Sequence, residues 1–167
     1  MEGNRRVSLR LQGYDYNQTG AYFVTICVQE RACLFGKIAE GTMHLSEAGC
    51  MTERWFYEME KKFPDLMAEQ FVCMPNHIHF IVVNQRVPLK GEKPLSLSTV
   101  VQWYKTMTTN EYIRQVKYGG WEPFRRKLWQ RNYWERIIRD EAEYVKIGEY
   151  IENNPARWKE DTLFVCE

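Results

Sequence analysis

The chain has 167 residues, 44% of them apolar, which suits one domain with a sizeable core and excludes a disordered chain. A formal net charge of +1 excludes a uniformly basic nucleic-acid coat, so any such binding must rest on a local patch. The five cysteines are odd in number with no C-x-x-C pair, which speaks against a disulfide framework or zinc knuckle and fits reduced thiols in the cytoplasm. Met1 to Arg10 is polar and basic, and no apolar run reaches the length of a membrane span, so neither signal peptide nor anchor is expected.

Residues 1–12 read as a basic N-terminal arm carrying Arg5, Arg6 and Arg10. A turn-rich stretch follows, and Ala21 to Val28, rich in β-branched and aromatic residues, reads as a strand. A second strand is expected over Leu34 to Ile38, ending at the Glu40-Gly41 turn. Ser46 to Phe63 reads as a helix capped by Ser46, with Met51, Trp55 and Met59 at helical spacing and Pro64-Asp65 at its end. Glu69 to Met74 and His77 to Val83 are apolar runs divided by Pro75-Asn76, which is the pattern of an antiparallel hairpin. Residues 85–97, with Pro88, Gly91 and Pro94, read as a flexible loop.

Ser98 to Arg114 reads as a second helix beginning near Ser98 or Thr99, before a Gly-Gly break within Lys117 to Pro123. A short strand is expected over Tyr133 to Ile138. Asp140 opens a third helix, with Glu143 at capping-box spacing, and Pro155 closes it because the residue before proline disfavours the α region. The order β-β-α-β-β-α-β-α defines an α+β fold, ferredoxin-like or RRM-like, with a mostly antiparallel sheet and helices packed on it in a single domain.

Two of the three histidines sit as His77-Ile78-His79. Residues two apart in a strand share a face, so both imidazoles can reach one ion while Ile78 points to the opposite layer. The pattern alone equally fits two strand histidines without metal, and the apolar residues that follow disfavour a zinc hydrolase. His44 falls in an expected turn and reads as a surface residue.

In the third helix Tyr144, Ile147, Gly148 and Ile151 form one apolar stripe. A glycine there costs roughly 1 kcal/mol against alanine, which points to close helix–sheet approach. Tyr150 and Asn154, four residues apart, share a neighbouring side, and Lys146 precedes Tyr150 by one turn, where its charge would favour tyrosinate. A boundary aromatic followed by a helix-end cap fits the same spacing.

Between Arg114 and Arg139 the chain is rich in cations, among them Arg125, Arg126, Lys127, Arg131, Arg136 and Arg139, interleaved with Trp121, Phe124, Trp129, Tyr133 and Trp134. Cations follow phosphates and aromatic rings stack on bases, which is what single-stranded DNA requires. Trp129 and Trp134 are expected to pack and the arginines to face outward; a solvated loop over a packed core fits the composition too.

The segments GAYFVTICVQERACLFG (Gly20 to Gly36), FVCMPNHIHFIVV (Phe71 to Val83), LWQRNYWERIIRDEAEY (Leu128 to Tyr144) and YIENNP (Tyr150 to Pro155) together resemble the HUH single-tyrosine transposases, in the REP-associated branch. The resemblance spans most of the chain in the family's order. It implies that His77 and His79 are metal ligands, that Asn154 supplies a polar third ligand, and that Tyr150 is the nucleophile. It implies a divalent metal, Mg or Mn, and cleavage and rejoining of single-stranded DNA beside hairpins. The DNA-binding cations expected from the charge pattern are Arg125, Arg126, Lys127, Arg131, Arg136 and Arg139, with Lys146 placed by its helix spacing to neutralise a phosphate. Other branches carry glutamine at the place of Asn154. A homodimer stays open, since insertion-sequence relatives share sites between subunits while repeat-associated relatives work as monomers. Three other readings compete: a non-catalytic DNA-binding module, an RRM-like RNA binder, and a phosphodiesterase that uses water. The last would survive loss of Tyr150.

Overall fold

The computed structural model describes residues 20–165 apart from 86, 88, 93 and 94. The N-terminal arm expected over residues 1–12, with Arg5, Arg6 and Arg10, lies outside the described residues, as do Pro88 and Pro94. In chain order the elements are β1 (Gly20–Cys27), β2 (Gly36–Ala39), β3 (Thr42–Leu45), α1 (Glu47–Lys62), β4 (Leu66–Met74), β5 (His77–Asn84), α2 (Leu97–Tyr118), β6 (Trp134–Ile138) and α3 (Glu141–Asn153). A 3-10 turn, Pro155–Glu160, follows α3.

Four strands form one sheet in the order β4-β5-β1-β6, with every neighbouring pair antiparallel. With β2 and β3 set aside as a separate hairpin, the chain runs β-α-β-β-α-β and its first strand lies centrally, which is the ferredoxin-like pattern expected.

Period-two alternation sorts the two central strands into two layers. Val24 and Ile26 of β1 and Ile78, Phe80 and Val82 of β5 face a large core that α1 closes with Met51, Phe56 and Met59 and α2 closes with Val100, Val101 and Tyr104. Ala21, Ile81, Val83 and Ile138 face the other way, onto Tyr144, Ile147 and Ile151 of α3. The two helices of the larger layer are tied by Tyr104, whose hydroxyl donates to the Thr52 carbonyl at 2.9 Å, and by Trp55, whose indole donates to Glu111 at 2.6 Å.

Local signals explain the helix ends. Ser46 Oγ accepts the Gly49 amide at 3.1 Å, and Asp140 accepts the Glu143 amide at 2.8 Å. Glu143 in turn accepts the Arg139 amide at 2.8 Å, so the reciprocal half of the box reaches one residue before the cap. The second helix starts earlier than expected, because Ser96 is its cap and accepts the Thr99 amide at 3.2 Å. It also runs past Arg114 to Gly119, whose amide donates to the Gln115 carbonyl at 2.7 Å.

The sequence reading has no separate β3, and it places His44 in a turn. His44 lies in β3 and is exposed. Glu40 and Gly41, at φ of 51° and 74°, form a tight turn that folds β3 back on β2, so the second strand belongs to this small hairpin and not to the main sheet. Among the described residues no helix is long and apolar enough to cross a membrane.

Gly49 sits in the first turn of α1, where a Cβ would come 2.3 Å from the Phe35 carbonyl oxygen. Alanine normally favours a helix by about 1 kcal/mol over glycine. Here Gly49→Ala is expected to destabilise by about 1–3 kcal/mol, the cost of overpacking against backbone, read as a lower urea midpoint.

Candidate active site

The layer beneath α3 turns polar at one end of the sheet. Thr25, His77 and His79 lie on the face that carries Ala21 and Ile81 farther along, so the alternation that buries Ile78 beneath α1 and α2 presents both imidazoles toward α3. Both histidines are fully buried, His77 at 0% and His79 at 3% exposure.

Each ring is oriented from behind. His77 Nδ1 meets Asn76 Oδ1 at 2.7 Å. The Asn76 amide group is itself oriented, because its Nδ2 donates to the carbonyls of Leu163 at 2.9 Å and Arg31 at 3.4 Å. Its Oδ1 therefore accepts, and the His77 proton sits on Nδ1. His79 Nδ1 lies 2.7 Å from the hydroxyl of Thr25, its direct cross-strand partner. The two Nε2 atoms then converge at 3.0 Å. Burial holds His77 well below the usual imidazole range, with the neighbouring His79 adding to the effect, and pushes His79 down to about 3. Both rings are thus neutral at physiological pH, the form in which imidazole binds metal.

Tyr150 projects from α3 over the pair. Its hydroxyl is 3.5 Å from His79 Nε2, and its ring packs edge-on to His79 and to Phe23. At 45% exposure it is open to a large ligand. Burial raises its phenol above the usual tyrosine range and Asp161 adds to this, while a hydrogen bond with Asn154 and the charge of Arg157 act in the opposite sense. Asn154 is buried, and its Oδ1 has no hydrogen-bond partner. The adjoining cavity of about 400 Å³ is lined by Lys146, Tyr150, Asn154, Arg157, Asp161 and Thr162 among others.

The structure thus brings His77, His79, Tyr150 and Asn154 together, with Lys146 on the rim. Arg157, from the turn after Pro155, also faces the Tyr150 phenol and acts to lower its pKa. Tyr104 and Tyr112 are buried, with hydroxyls spent on the carbonyls of Thr52 and Glu122. Tyr144 lies in the core under α3 and Tyr133 packs against the larger core. Burial pushes the Cys27 and Cys73 thiols up to about 11 and about 12, so neither offers a thiolate.

The expected DNA-binding cations do not form one cluster. Arg126, Lys127 and Arg131 line a cleft beside Gln102 and Thr106 of α2, in the layer opposite α3. Arg125 pairs with Glu30 at 3.6 Å. Arg136 lies on β6 opposite Phe23, on the histidine face, where it pairs with Glu143, and Arg139 is exposed at the end of that strand. Trp129 packs as expected, its indole donating to Thr108 at 2.8 Å. Trp134 does not pack: it is 58% exposed, at the start of β6, the edge strand of the sheet. It is the cross-strand partner of Thr25, which places a bare indole beside the histidine pair.

The sequence reading assigned Thr25 and Asn76 no role in the site: Thr25 was one residue of the first strand, and Asn76 was read only as half of the Pro75-Asn76 turn. Asp161 was missed as well: its Oδ2 lies 3.6 Å from His77 Nε2, and His77, His79 and Asp161 form a group of potential ligands within 4.8 Å of one another. No spacing rule could find it, since it arrives only when the chain turns back after Pro155.

A match to a transposase family model over most of the chain places it among DNA-processing enzymes. The chain belongs to the IS200-like transposase family, whose model matches residues 21–154. An uncharacterised protein of Haemophilus influenzae is 38% identical over 170 residues, covering 97% of this chain and 94% of the relative. A second Haemophilus influenzae protein, assigned as a REP-associated tyrosine transposase, is 23% identical over 146 residues, covering 86% and 74% respectively. The fold is similar to that of a REP-associated tyrosine transposase bound to a REP hairpin, with a TM-score of 0.56 at 19% identity, over 88% of this chain and 73% of the other. It is also similar to an assigned transposase from Deinococcus radiodurans, with a TM-score of 0.52 at 16% identity, over 86% and 95%.

Neutral buried histidines make stability pH-dependent in a defined direction. Their folded pKa values lie below the unfolded value near 6.5, so the unfolded chain binds more protons at pH values below about 6.5. Their contribution is complete above that pH and is lost as pH falls toward about 3, the folded value of His79. In EDTA, the urea midpoint is expected to drop between pH 7.5 and 5, and to drop less in His79→Gln; equal drops in the two proteins would contradict the assignment.

Proposed function

We propose that this chain cleaves and rejoins single-stranded DNA, beside palindromic repeat hairpins, through a covalent 5′-phosphotyrosine at Tyr150. His77, His79 and Asn154 would hold a divalent ion, Mg or Mn. The observation that carries this reading is the convergence of two Nε2 atoms at 3.0 Å beside a tyrosine hydroxyl.

The donor set fits such an ion. Two ligand atoms each about 2.1 Å from one ion, at right angles, stand about 3.0 Å apart. The His77 proton on Nδ1 leaves its Nε2 lone pair facing His79 Nε2, the Thr25 hydroxyl can accept the His79 Nδ1 proton when Nε2 turns to an ion, and the unpartnered Asn154 Oδ1 is the third donor, an oxygen. Bound there, the ion supplies Lewis-acid polarisation of a phosphate oxygen.

The chain's own residues do the rest. Tyr150 Oη bonds to phosphorus as the bond from phosphorus to the 3′-oxygen breaks; the phenolic proton leaves to solvent and the 3′-oxygen takes one up. The phosphotyrosine retains the energy of the phosphodiester, so a second 3′-OH can displace the tyrosine and join strands without ATP. Asn154 holds the phenol, and Arg157 opposes the repulsion between Asp161 and the developing phenolate. Trp134 offers a stacking face beside the pair, while Arg136 and Lys146 flank it as partners for phosphates. The cleft lined by Arg126, Lys127 and Arg131 gives a second stretch of positive potential for a hairpin stem.

Incubation with single-stranded hairpin DNA from the gene's flanking repeats and Mn, followed by a denaturing gel, tests the chemistry. Wild type is expected to form a protein–DNA adduct that EDTA, His77→Ala and Tyr150→Phe each abolish. Cleavage that persists in Tyr150→Phe would assign the attack to water and sink the tyrosine mechanism. In a separate anisotropy titration in EDTA, Trp134→Ala should weaken single-strand binding about 5- to 100-fold, the loss of one stacked base worth roughly 1–3 kcal/mol. An unchanged affinity would remove Trp134 from the DNA path.

A further inference from the structure

Asp161 lies outside the residues 21–154 matched by the family model and in none of the segments that carry the family resemblance. Its place in the fold is nonetheless specific. Its amide donates to the Trp158 carbonyl at 3.1 Å, closing the turn after α3, and Trp158 is buried against the His77 ring at 5.9 Å between centroids. Its Oδ1 accepts the Leu163 amide at 2.7 Å, which leaves Oδ2 directed at His77 Nε2, 3.6 Å away, on a side chain only 7% exposed. The same Leu163 accepts from Asn76 Nδ2 through its carbonyl, so one residue positions both this carboxylate and the group that orients His77.

The contact between Asp161 and His77 does not explain itself as an ion pair. The His77 proton is on Nδ1, facing Asn76, so Nε2 turns a lone pair toward the carboxylate, and 3.6 Å exceeds a hydrogen bond. His77 Nε2 with its lone pair, His79 Nε2 and the Asp161 carboxylate meet within 4.8 Å of one another, at the inner edge of the cavity that Asp161 lines. A buried carboxylate facing lone pairs is costly unless a cation lies among them.

We propose that Asp161 Oδ2 is a further ligand of the divalent ion, delivered by the segment that follows the helix carrying Tyr150. This rests on the reading of His77 and His79 as metal ligands. Two imidazoles with amide and carboxylate oxygens make a harder donor set than imidazoles alone, which suits Mn or Mg better than Zn. It leaves positions in a six-coordinate shell for phosphate oxygen and water. It also ties the ion to the chain beyond α3, through the Pro155–Glu160 turn that already packs Trp158 on His77.

The test is a Mn(II) titration of the full chain, with free Mn(II) read by EPR, on wild type, Asp161→Asn and His77→Ala. Asparagine keeps an Oδ1 for the Leu163 amide and removes the charge that faces the His77 lone pair, so the metal-free melting temperature should not fall. The expected result is an affinity for Mn(II) lower by on the order of 10- to 100-fold in Asp161→Asn, the scale on which loss of a supporting group acts. Wild-type affinity in Asp161→Asn, with binding lost in His77→Ala, overturns the Asp161 assignment and leaves the histidine site standing. Equal binding by wild type and His77→Ala overturns both. A crystal of Mn(II)-loaded wild type needs no variant: anomalous density within about 2.3 Å of Asp161 Oδ2 supports the assignment, and an ion on the histidines with Oδ2 beyond about 3 Å refutes it.

Discussion

Two imidazole nitrogens held 3.0 Å apart inside the protein are the feature around which the rest is arranged. The His77 proton is on Nδ1, facing Asn76, so its Nε2 lone pair faces His79 Nε2, and a proton or a cation belongs between the two nitrogens. Burial then keeps both rings uncharged. A site of this kind needs a sheet stiff enough to hold two side chains at one fixed separation. β5 is such a place: it is hydrogen-bonded on both edges, and Ile78, Phe80 and Val82 are anchored in the larger core.

The two layers of the molecule divide the work. On the α1 and α2 side, a large aromatic and aliphatic cluster holds the sheet. On the other side, the smaller cluster under α3 covers only part of the face, and its polar end is where Thr25, the histidines, Tyr150 and Asn154 gather. Because α3 rests on a thin layer, Tyr150 can reach His79 while staying nearly half exposed, which an extended polymer substrate requires. The turn after α3 completes the arrangement by packing Trp158 on His77 and bringing Asp161 and Arg157 to the tyrosine.

Charge follows the same economy. Several arginines are balanced locally, Arg136 by Glu143, Arg125 by Glu30 and Arg54 by Glu111, so the near-neutral net charge is made partly of close pairs. The cations lining the cleft beside α2 and those near Tyr150 lie on different sides of the sheet, so a bound nucleic acid that met both would have to wrap its end.

Much of this was legible in the sequence. The strand period placed His77 and His79 on one face, the helix period placed Tyr150 and Asn154 on one side of α3, and the α+β element order foretold the ferredoxin-like sheet, because these are local periodicities. Ser46 and Asp140 marked helix starts for an equally local reason. What local pattern could not supply was everything set by distant contact. Thr25 supports His79 only because β1 pairs with β5 in one register out of several. Trp134 lies bare at the start of β6, the edge strand, and a sequence pattern does not say which strand that will be. β3 escaped notice because four residues are too few to show a period. Asp161 comes to His77 by a chain reversal held by Trp158, Leu163 and Asn76, contacts that span up to 87 residues. The sequence by itself determined which side chains share a face of each element; the tertiary structure decided which faces meet, because pairing register and chain reversal depend on contacts far apart in the chain.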